Sequence, residues 1–430
     1  MDHFQYKAGK LLCEQVSVQE LADTYGTPLY VYSAATLVHH LRQIQLAFKE
    51  VDPLICYSVK TNGNLSILQL MREHGAGFDV TSNGELHRAL TVGSSGEKIV
   101  FAGVGKTEAE QRRALSEKVF LFNVESEAEL LALAQVAKTM GVIAPVALRV
   151  NPDLPPKTHA KTDTSVKGVK FGLDIHSVLE VAQKFVKQSN LEICGIHMHL
   201  GSPILSVEPY RQGIAKAKTL VAELRKQGHP IKVLNMGGGF GIHYRKKEAL
   251  PAQAFAEVIV PAVKEMGCKL VLEPGRFIAG NAGVLLGKVI YTKESGGKLF
   301  VIQDAAMNDL IRPTLYDSFH RIWPVEPPKG FEVPPEDYEC PGEGTLSVDV
   351  VGPVCESGDF LAKQRHLPPL NQGDLLAVFS AGAYGMAMSS NYNSRPRAAE
   401  IMVSGTTHRV IRRRETCDDL IANEVEYIAK

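Results

Sequence analysis

The chain has 430 residues, and its 47 lysines and arginines balance 47 aspartates and glutamates, which gives a formal net charge of zero at pH 7. This balance gives no electrostatic reason to expect binding to nucleic acid or to an anionic membrane. The N-terminal sequence lacks the basic and apolar regions of a signal peptide, so none is expected. No uncharged apolar stretch reaches the roughly 18 residues needed to span a bilayer.

The seven cysteines are scattered along the chain, their number is odd, and no two form a CxxC pair. This usage predicts neither a disulfide framework nor a thiolate metal site, so we expect no bound metal and a cytoplasmic protein.

In chain order, a first apolar run, "TPLYVYS" at residues 27–33, predicts a strand without a neighbour nearby in the sequence. Eight further runs then alternate with helical patterns, one of which, "ESEAELLALAQVAKTMG", ends at the C-capping glycine Gly141. The eight runs are "LICYSVK", "GFDVTS", "KIVFAG", "VFLFNV", "PVALRV", "ICGIHMHLG", "KVLNMGGG" and "LVLEPG". This alternation predicts a parallel (β/α)8 barrel, with an open doubly wound sheet as the alternative, because periodicity does not show closure.

After Gly280 the pattern changes to short alternating runs, beginning with a hairpin that turns at Gly296 and Gly297. We therefore predict three parts: an N-terminal segment (1–33) that joins the β domain, a barrel (34–280) and a C-terminal antiparallel β domain (281–430). The proline-rich residues 324–344 are expected to form a surface excursion, and the basic run "HRVIRRRET" an exposed strand edge.

Chemically useful side chains stand at or near the ends of the predicted barrel strands, where barrel enzymes place their active sites, and Asp79 lies within the second strand. They are Lys60, Asp79, Arg149, His197, His199, Gly237, Gly238, Gly239, Glu273 and Arg276. Taken alone, Lys60 could be the first solvated residue after a strand, since lysines are mostly exposed. An amine, imidazoles, a glycine loop, a carboxylate and a guanidinium on one face together indicate a pocket for an anionic cofactor.

Two of these motifs have alternative interpretations. The glycines of "NMGGGFG" could cradle a phosphate with backbone N–H groups or form a tight turn without a ligand. In "GIHMHLGS", His197 and His199 face the same side of a strand, which permits zinc ligation or simple core packing. No HExxH motif or cysteine pair accompanies them, so a metal site is not predicted.

The elements "YSVKTN", "HMHLGS", "GGGFG" and "EPGR" make the chain resemble the fold-type III pyridoxal-phosphate decarboxylases of basic amino acids. The resemblance runs from "TPLYVYS" to "GAYG", and "MNDLIRPTLY" and "CESGDF" are similar to the diaminopimelate branch of that family. Ser58 and Thr61 replace alanines of the family pattern and Leu200 replaces an isoleucine, and none of these changes removes a functional group.

The resemblance implies that Lys60 binds pyridoxal 5'-phosphate as a Schiff base, that His199 stacks on its ring and that Glu273 pairs with the ring nitrogen. It also implies that Gly237 to Gly239 and Arg276 face the phosphate. The remaining cofactor-binding residues that we expect are Asp79, Arg149, Ser202 and Tyr384. The loop at residues 154–172 looks mobile and close to this site.

On the substrate side, the resemblance implies that Arg276, Arg312 and Tyr316 hold carboxylate and that Glu356 faces the distal amino group. Tyr384 is expected to border both cofactor and substrate. Cys355 is implied to protonate the carbanion and to reach the site from the partner subunit of a homodimer.

The implied activity is decarboxylation of meso-2,6-diaminopimelate to L-lysine and carbon dioxide, the last step of lysine biosynthesis. Three alternatives stay open: a decarboxylase of ornithine or arginine, an alanine racemase-like isomerase, and a non-catalytic homologue. Such racemases pair the ring nitrogen with arginine, so Glu273 argues against the second. A non-catalytic homologue would be expected to lack Lys60 or Cys355.

Overall fold

The computed structural model describes residues 3–154, 168–245, 249–332, 334 and 342–428. The chain divides into two compact units. The barrel unit comprises His40–Ile242 and Ala249–Phe277. The β unit comprises Met1–His39, His243–Glu248 and Ile278–Lys430.

The N-terminal segment forms a small three-stranded sheet and then a strand of the larger sheet described below. Its elements are β1 (Phe4–Lys7), β2 (Lys10–Cys13), β3 (Val16–Ser17), α1 (Val18–Tyr25), β4 (Leu29–Ser33) and α2 (Ala34–Ala47), which continues into the barrel unit. Helix α1 begins where the Ser17 side chain accepts a hydrogen bond from the backbone N–H of Glu20, as N-capping residues do.

All eight apolar runs predicted as barrel strands form parallel strands. The strands are β5 (Leu54–Ser58), β6 (Gly77–Val80), β7 (Ile99–Phe101), β8 (Leu121–Val124), β9 (Ala144–Asn151), β10 (Leu173–Asp174), β11 (Leu191–His197), β12 (Val233–Asn235) and β13 (Lys269–Leu272). The short β10 lies alongside the end of β9, and the other eight form a ring in which β8 pairs with β9 and β13 with β5. The barrel prediction is therefore confirmed, and the open-sheet alternative is wrong.

The helices of the barrel unit follow its strands in the chain. They are α3 (Leu65–Glu73), α4 (Asn83–Thr91), α5 (Glu108–Ser116), α6 (Glu127–Met140), α7 (Val178–Lys184), α8 (Glu208–Lys226), α9 (Ala252–Met266) and the single turn α10 (Arg276–Ala279), whose end lies in the β unit. As the sequence predicts, α6 ends at Gly141, which takes the left-handed conformation with φ of 67° and thus favours glycine.

The barrel interior is closed by a layer of tightly packed apolar side chains. Seven buried residues contributed by seven of the eight strands form one cluster: Cys56, Val100, Leu121, Ala147, Cys194, Val233 and Val271. Contact between residues from so many strands indicates that the interior is a packed core and not a pore, as is usual for barrels of eight strands.

The β unit is built on one mixed sheet. Its strands are β14 (Gly283–Ser295), β15 (Lys298–Gln303), β16 (Ile322–Pro324), β17 (Leu346–Val351), β18 (Phe360–Leu367), β19 (Leu375–Val378), β20 (Ala399–Ser404) and β21 (Thr407–Arg412), and its helices are α11 (Arg312–Tyr316) and α12 (Cys417–Ile421). The main path runs β18-β17-β15-β14-β4-β20-β21, and β19 joins β14 to β16. The N-terminal β4 thus lies inside this sheet, as predicted.

Most pairings of the β unit are antiparallel, including the predicted β14–β15 hairpin, whose two turn glycines both have positive φ angles. Two pairings depart from the antiparallel expectation: β4 runs parallel to β20, and β15 runs parallel to β17. Both join strands that are distant in sequence, which a hairpin turn does not constrain. The basic run near the C-terminus is the exposed edge strand β21, as predicted. Much of the proline-rich excursion (333 and 335–341) lies outside the described residues.

Replacing Leu121 by alanine is expected to destabilise the cofactor-free protein by about 2–5 kcal/mol, because it opens a cavity in the barrel core. Urea unfolding followed by circular dichroism would measure this change. The matched control is Leu131→Ala on α6, whose side chain is 58% exposed and should change stability by less than about 0.5 kcal/mol. Equal losses in the two variants would contradict the interior position of Leu121.

Candidate active site

The candidate site of the barrel unit is a layer of polar side chains one step beyond the apolar core cluster. Because side chains two residues apart on a strand face the same side, each of these groups points to the same interior as a core residue. The pairs of core residue and polar residue are Cys56 and Ser58, Leu121 and Asn123, Ala147 and Arg149, Val233 and Asn235, and Val271 and Glu273. The strands therefore deliver chemically different groups to one end of the barrel.

Glu273 is the centre of this layer. Its Oε1 accepts hydrogen bonds from the side-chain amides of Asn123 (2.8 Å) and Asn235 (2.6 Å). Burial alone would raise the pKa of the Glu273 carboxyl, but the neighbouring His197 imidazole and Lys60 amine outweigh that effect. The pKa therefore lies below its usual value, and Glu273 is a buried, ionised carboxylate.

The two histidines of "HMHLG" occupy different environments. His197 is 1% exposed, and its Nε2 lies 3.3 Å from Oε2 of Glu273, although the ring is not oriented for a hydrogen bond. His199 is half-buried, and its Nδ1 accepts a hydrogen bond from the backbone N–H of Gly238 (3.4 Å). Burial is the main cause of a lowered pKa of the His199 imidazole, and the charges of Arg149 and Lys60 lower it further. His199 is consequently neutral at physiological pH.

Lys60 lies on a single 3₁₀ turn, Val59–Thr61, directly after β5. Its Nζ is 3.2 Å from Oδ2 of Asp79, and the Lys60 side chain is 44% exposed while that of Asp79 is fully buried. The hydroxyl of Ser58 lies 2.7 Å from the same Asp79 oxygen. Burial raises the pKa of the Asp79 carboxyl in spite of the Lys60 charge. Within the described residues Asp79 Oδ1 is buried and has no hydrogen-bond partner.

The three glycines after β12 form a turn that no side chain could share. A Cβ on Gly238 would lie 2.2 Å from the carbonyl oxygen of Glu273, and one on Gly239 would lie 2.3 Å from that of Gly201. Gly237 and Gly239 also have positive φ angles, of 62° and 104°. The backbone is thus packed closely against its neighbours, and the absence of side chains permits close approach of an anion to the turn.

Two arginines complete the candidate site of the barrel unit. Arg149 donates a 2.7 Å hydrogen bond from its guanidinium to Glu125 and stacks over the Phe171 ring at 4.8 Å. Arg276 opens α10, and its Nε lies 3.4 Å from the hydroxyl of Ser202. The expected mobility of the 154–172 loop concerns mainly residues 155–167, which lie outside the described residues.

In the β unit, the motifs "MNDLIRPTLY" and "CESGDF" lie against each other. Asp359 joins them, because its carboxylate accepts hydrogen bonds from the backbone N–H groups of Met307 (2.8 Å) and Val354 (2.7 Å). Thr314 adds a 2.6 Å hydrogen bond to the carbonyl oxygen of Gly358. Two segments that are about fifty residues apart in sequence therefore form one structural feature.

This feature carries four of the predicted substrate and catalytic residues. Arg312 is 5% exposed, and its guanidinium contacts Nε2 of His320 at 2.8 Å and lies 5.1 Å over the Tyr244 ring. Tyr316, at the end of α11, is half-buried. Cys355 and Glu356 are both exposed, and the backbone N–H of Cys355 donates to the Asn393 side chain (2.9 Å).

Tyr384 takes a backbone conformation that is unusual for an aromatic residue. Its φ is 58°, in the left-handed region, where a side chain with a Cβ is strained. The next residue, Gly385, leaves no room for a Cβ, which would lie 2.4 Å from the carbonyl oxygen of Ala381. Strain of this kind is concentrated at functional sites.

Sequence reasoning missed four residues of this arrangement: Ser58, Asn123, Glu125 and Asn235. All are buried polar residues at or just beyond strand ends. The signal was present, because Ser58, Asn123 and Asn235 each follow a core residue by two positions, which predicts that they face the barrel interior. Glu125 gives no comparable signal, because it lies in a loop.

The described ranges contain no group of three or more histidine, cysteine or acidic side chains arranged to hold a metal ion. Among the helices of the same residues, none is long and apolar enough to cross a membrane.

A closed (β/α)8 barrel with an amine, a buried carboxylate and a glycine turn at its strand ends has the architecture of a barrel enzyme, whose active site lies at that end of the barrel. The chain belongs to the pyridoxal-dependent decarboxylase family, because residues 34–280 match the model of that family's pyridoxal binding domain. The family predicted from the sequence is thus confirmed.

Similar proteins cover nearly the whole chain. A diaminopimelate decarboxylase of Aquifex aeolicus is 44% identical over 97% of this chain and 96% of its own length. One from Vibrio cholerae is also 44% identical, over 99% of each chain. The crystal structure of diaminopimelate decarboxylase from Helicobacter pylori complexed with L-lysine has a TM-score of 0.89, at 37% identity over 95% of this chain and all of that one.

The lowered pKa of the His199 imidazole predicts that its ring remains unprotonated in the folded, cofactor-free protein when the pH falls to the value at which a free imidazole takes up its proton. Because the unfolded chain takes up this proton near pH 6.5, the stability that His199 confers decreases as the pH falls below about 6.5. The ring signals of 13C-labelled histidine would report the titration, with His199 assigned by the signal missing from His199→Gln. A titration midpoint of that signal near pH 6.5 would contradict the burial of the ring.

Proposed function

We propose that this protein is a cytoplasmic pyridoxal 5'-phosphate-dependent enzyme that decarboxylates meso-2,6-diaminopimelate to L-lysine and carbon dioxide. The observation that carries the proposal is the buried, ionised Glu273 in the same barrel end as Lys60 and the glycine turn. The names of the full-length relatives supply the substrate. The six cysteines of the described ranges are all unpaired thiols, in keeping with a reducing compartment.

The residues of the barrel unit fit pyridoxal 5'-phosphate. Gly237 to Gly239 form a turn with room for no side chain, which suits close approach of a phosphate to the backbone. Arg276 adds a positive charge for the same group. When bound, the cofactor supplies an electron-withdrawing ring that accepts the electron pair left on the substrate's Cα.

Each barrel residue then has a distinct task. Lys60 provides the amine that attaches the cofactor and exchanges it with the substrate amine. Glu273 keeps the ring nitrogen protonated, because a carboxylate of low pKa stabilises a proton held on its partner. His199, neutral and half-buried, provides a flat face for the ring. Asp79 holds the Lys60 amine when that amine is released, and Arg149 contributes positive charge next to His199.

We assign recognition of the substrate to the β unit. The two ends of diaminopimelate are alike, so each end needs a partner for its carboxylate. The distal ammonium needs an anion. Arg312 and Tyr316 are proposed to hold carboxylate, and Glu356 to bind the distal ammonium. Tyr384 is proposed to border cofactor and substrate, and its strained backbone supports a functional role.

Cys355 is proposed to return a proton to Cα after carbon dioxide leaves, acting in the site of the partner subunit of a homodimer. The thiol is exposed on a turn that Asp359 and Asn393 hold in place. An exposed proton donor of this kind is available to a second copy of the chain.

The purified protein, loaded with pyridoxal 5'-phosphate, is expected to release lysine from meso-diaminopimelate and to leave ornithine and arginine unchanged. Ornithine and arginine lack the distal carboxylate, which we propose that Arg312 and Tyr316 of the β unit hold. Chromatographic measurement of amines and of released carbon dioxide would compare the three substrates. Turnover of ornithine or arginine in place of diaminopimelate would overturn the roles of Arg312 and Glu356 while preserving those of the barrel residues.

Lys60→Ala is expected to abolish covalent attachment of the cofactor, because no amine then occupies the end of β5. Treatment with borohydride fixes the attachment, and intact-mass spectrometry of the wild type and the variant would detect it. The control is Lys264→Ala, a barrel lysine whose side chain is 52% exposed and paired with Glu50. Equal labelling of Lys60→Ala and wild type would refute the assignment of Lys60.

A further inference from the structure

The side chain of Asn235 donates one hydrogen bond and accepts another, and these two bonds connect it to different parts of the candidate site. Its Nδ2 donates to Oε1 of Glu273 at 2.6 Å, and its Oδ1 accepts from the backbone N–H of Gly237 at 2.9 Å. Asn235 is fully buried. A backbone N–H can only donate and an ionised carboxylate can only accept, so the two partners permit a single orientation of the amide.

We propose that Asn235 is a positioning residue that fixes the Glu273 carboxylate and the Gly237–Gly239 turn relative to each other. It thereby couples the contact to the cofactor's ring nitrogen with the contact to its phosphate. This inference rests on the proposed use of pyridoxal 5'-phosphate, and it adds a residue to which neither the family pattern nor the sequence analysis assigns a role.

The first step of the argument concerns the two oxygens of Glu273. Asn123 and Asn235 both donate to Oε1, while Oε2 lies 3.3 Å from the unaligned ring of His197. The carboxylate is therefore oriented by two neutral amides that both donate to one oxygen, and neither of them occupies the other oxygen. The two amides are neutral donors, so they orient the carboxylate without adding to the positive charge that the Lys60 amine already places near it.

The second step concerns the glycine turn. Gly237 has a φ of 62°, and a Cβ there would lie 2.8 Å from Nδ1 of His199. The hydrogen bond from the Gly237 N–H to Asn235 holds the first residue of the turn, and the next N–H, that of Gly238, donates to His199. Loss of the Asn235 carbonyl would leave a buried N–H without its acceptor at the start of the turn, which is costly.

Asn123 provides the matched control. It donates to the same oxygen of Glu273 as Asn235 does, at 2.8 Å, and is equally buried. Asn123 is linked to Asn235 by a longer contact of 3.4 Å between the amides, and the hydrogen bond to Gly237 comes from Asn235. Truncation of either asparagine therefore removes one donor to Glu273, but only truncation of Asn235 also removes the acceptor of the glycine turn.

The test compares dissociation constants for pyridoxal 5'-phosphate and for pyridoxal, which lacks the phosphate, in the full-length protein. Visible absorbance of the bound aldehyde gives both constants without any turnover. The quantity of interest is the phosphate preference, the ratio of the Kd for pyridoxal to the Kd for pyridoxal 5'-phosphate.

Asn235→Ala is expected to weaken binding of pyridoxal 5'-phosphate by roughly 10- to 100-fold and to lower the phosphate preference by about fivefold or more. Asn123→Ala is expected to weaken binding of both compounds by the same factor, so its phosphate preference stays at the wild-type value. An unchanged preference in Asn235→Ala, or an equal decrease in both variants, would overturn the proposal.

If Asn235→Ala does not fold, as judged by circular dichroism, Asn235→Asp decides the question. That variant keeps an acceptor for the Gly237 N–H and loses the donor to Glu273. It is expected to bind both compounds more weakly at a wild-type phosphate preference, whereas unchanged affinity for pyridoxal would overturn the proposal. Failure of the wild type to bind pyridoxal 5'-phosphate would instead overturn the proposed function.

Discussion

A carboxylate buried inside a barrel is stable only if its surroundings replace the water that it has lost, and the site depends on meeting this requirement at Glu273. Removal of a carboxylate from water is expensive unless hydrogen bonds and opposite charges compensate. Two amides, an imidazole and a nearby amine supply the compensation, and each comes from a different barrel strand or strand end. The ring of strands is thus what keeps Glu273 ionised, and the chemistry of the site depends on barrel closure.

The period-two alternation of the strands explains how one interior serves both stability and chemistry. Along five strands a core side chain is followed, two residues later, by a polar group of the site. The layer of apolar core side chains excludes water from one side of the polar layer. It thereby lowers the effective dielectric constant around the polar side chains, which strengthens every electrostatic contact there. The raised pKa of Asp79 and the lowered pKa of His199 both originate mainly from this burial.

Sequence patterns predicted those features that local periodicity and turn chemistry determine. The eight apolar runs gave the barrel strands, and the paired glycines gave the β14–β15 turn, because these signals lie within a few residues of one another. Closure of the barrel and the parallel pairing of β15 with β17 depend on contacts between distant segments, which periodicity does not encode. The alternation predicts that Asn123 and Asn235 face the barrel interior, but their role depends on hydrogen bonds to Glu273, which comes from a distant segment.

The position of β4 has a consequence for how this protein reaches its folded state during synthesis. The barrel strands follow one another along the chain from Leu54 to Leu272, so successive strands can pair as they emerge. In contrast, β4 lies between β14 and β20, and the hydrogen bond from Tyr32 to Glu400 spans 368 residues of sequence. Closing so long a loop is entropically slow. The first strand of the large sheet to leave the ribosome can pair on one side once β14 has been made, but its other side stays unpaired until β20, almost the last strand, has emerged.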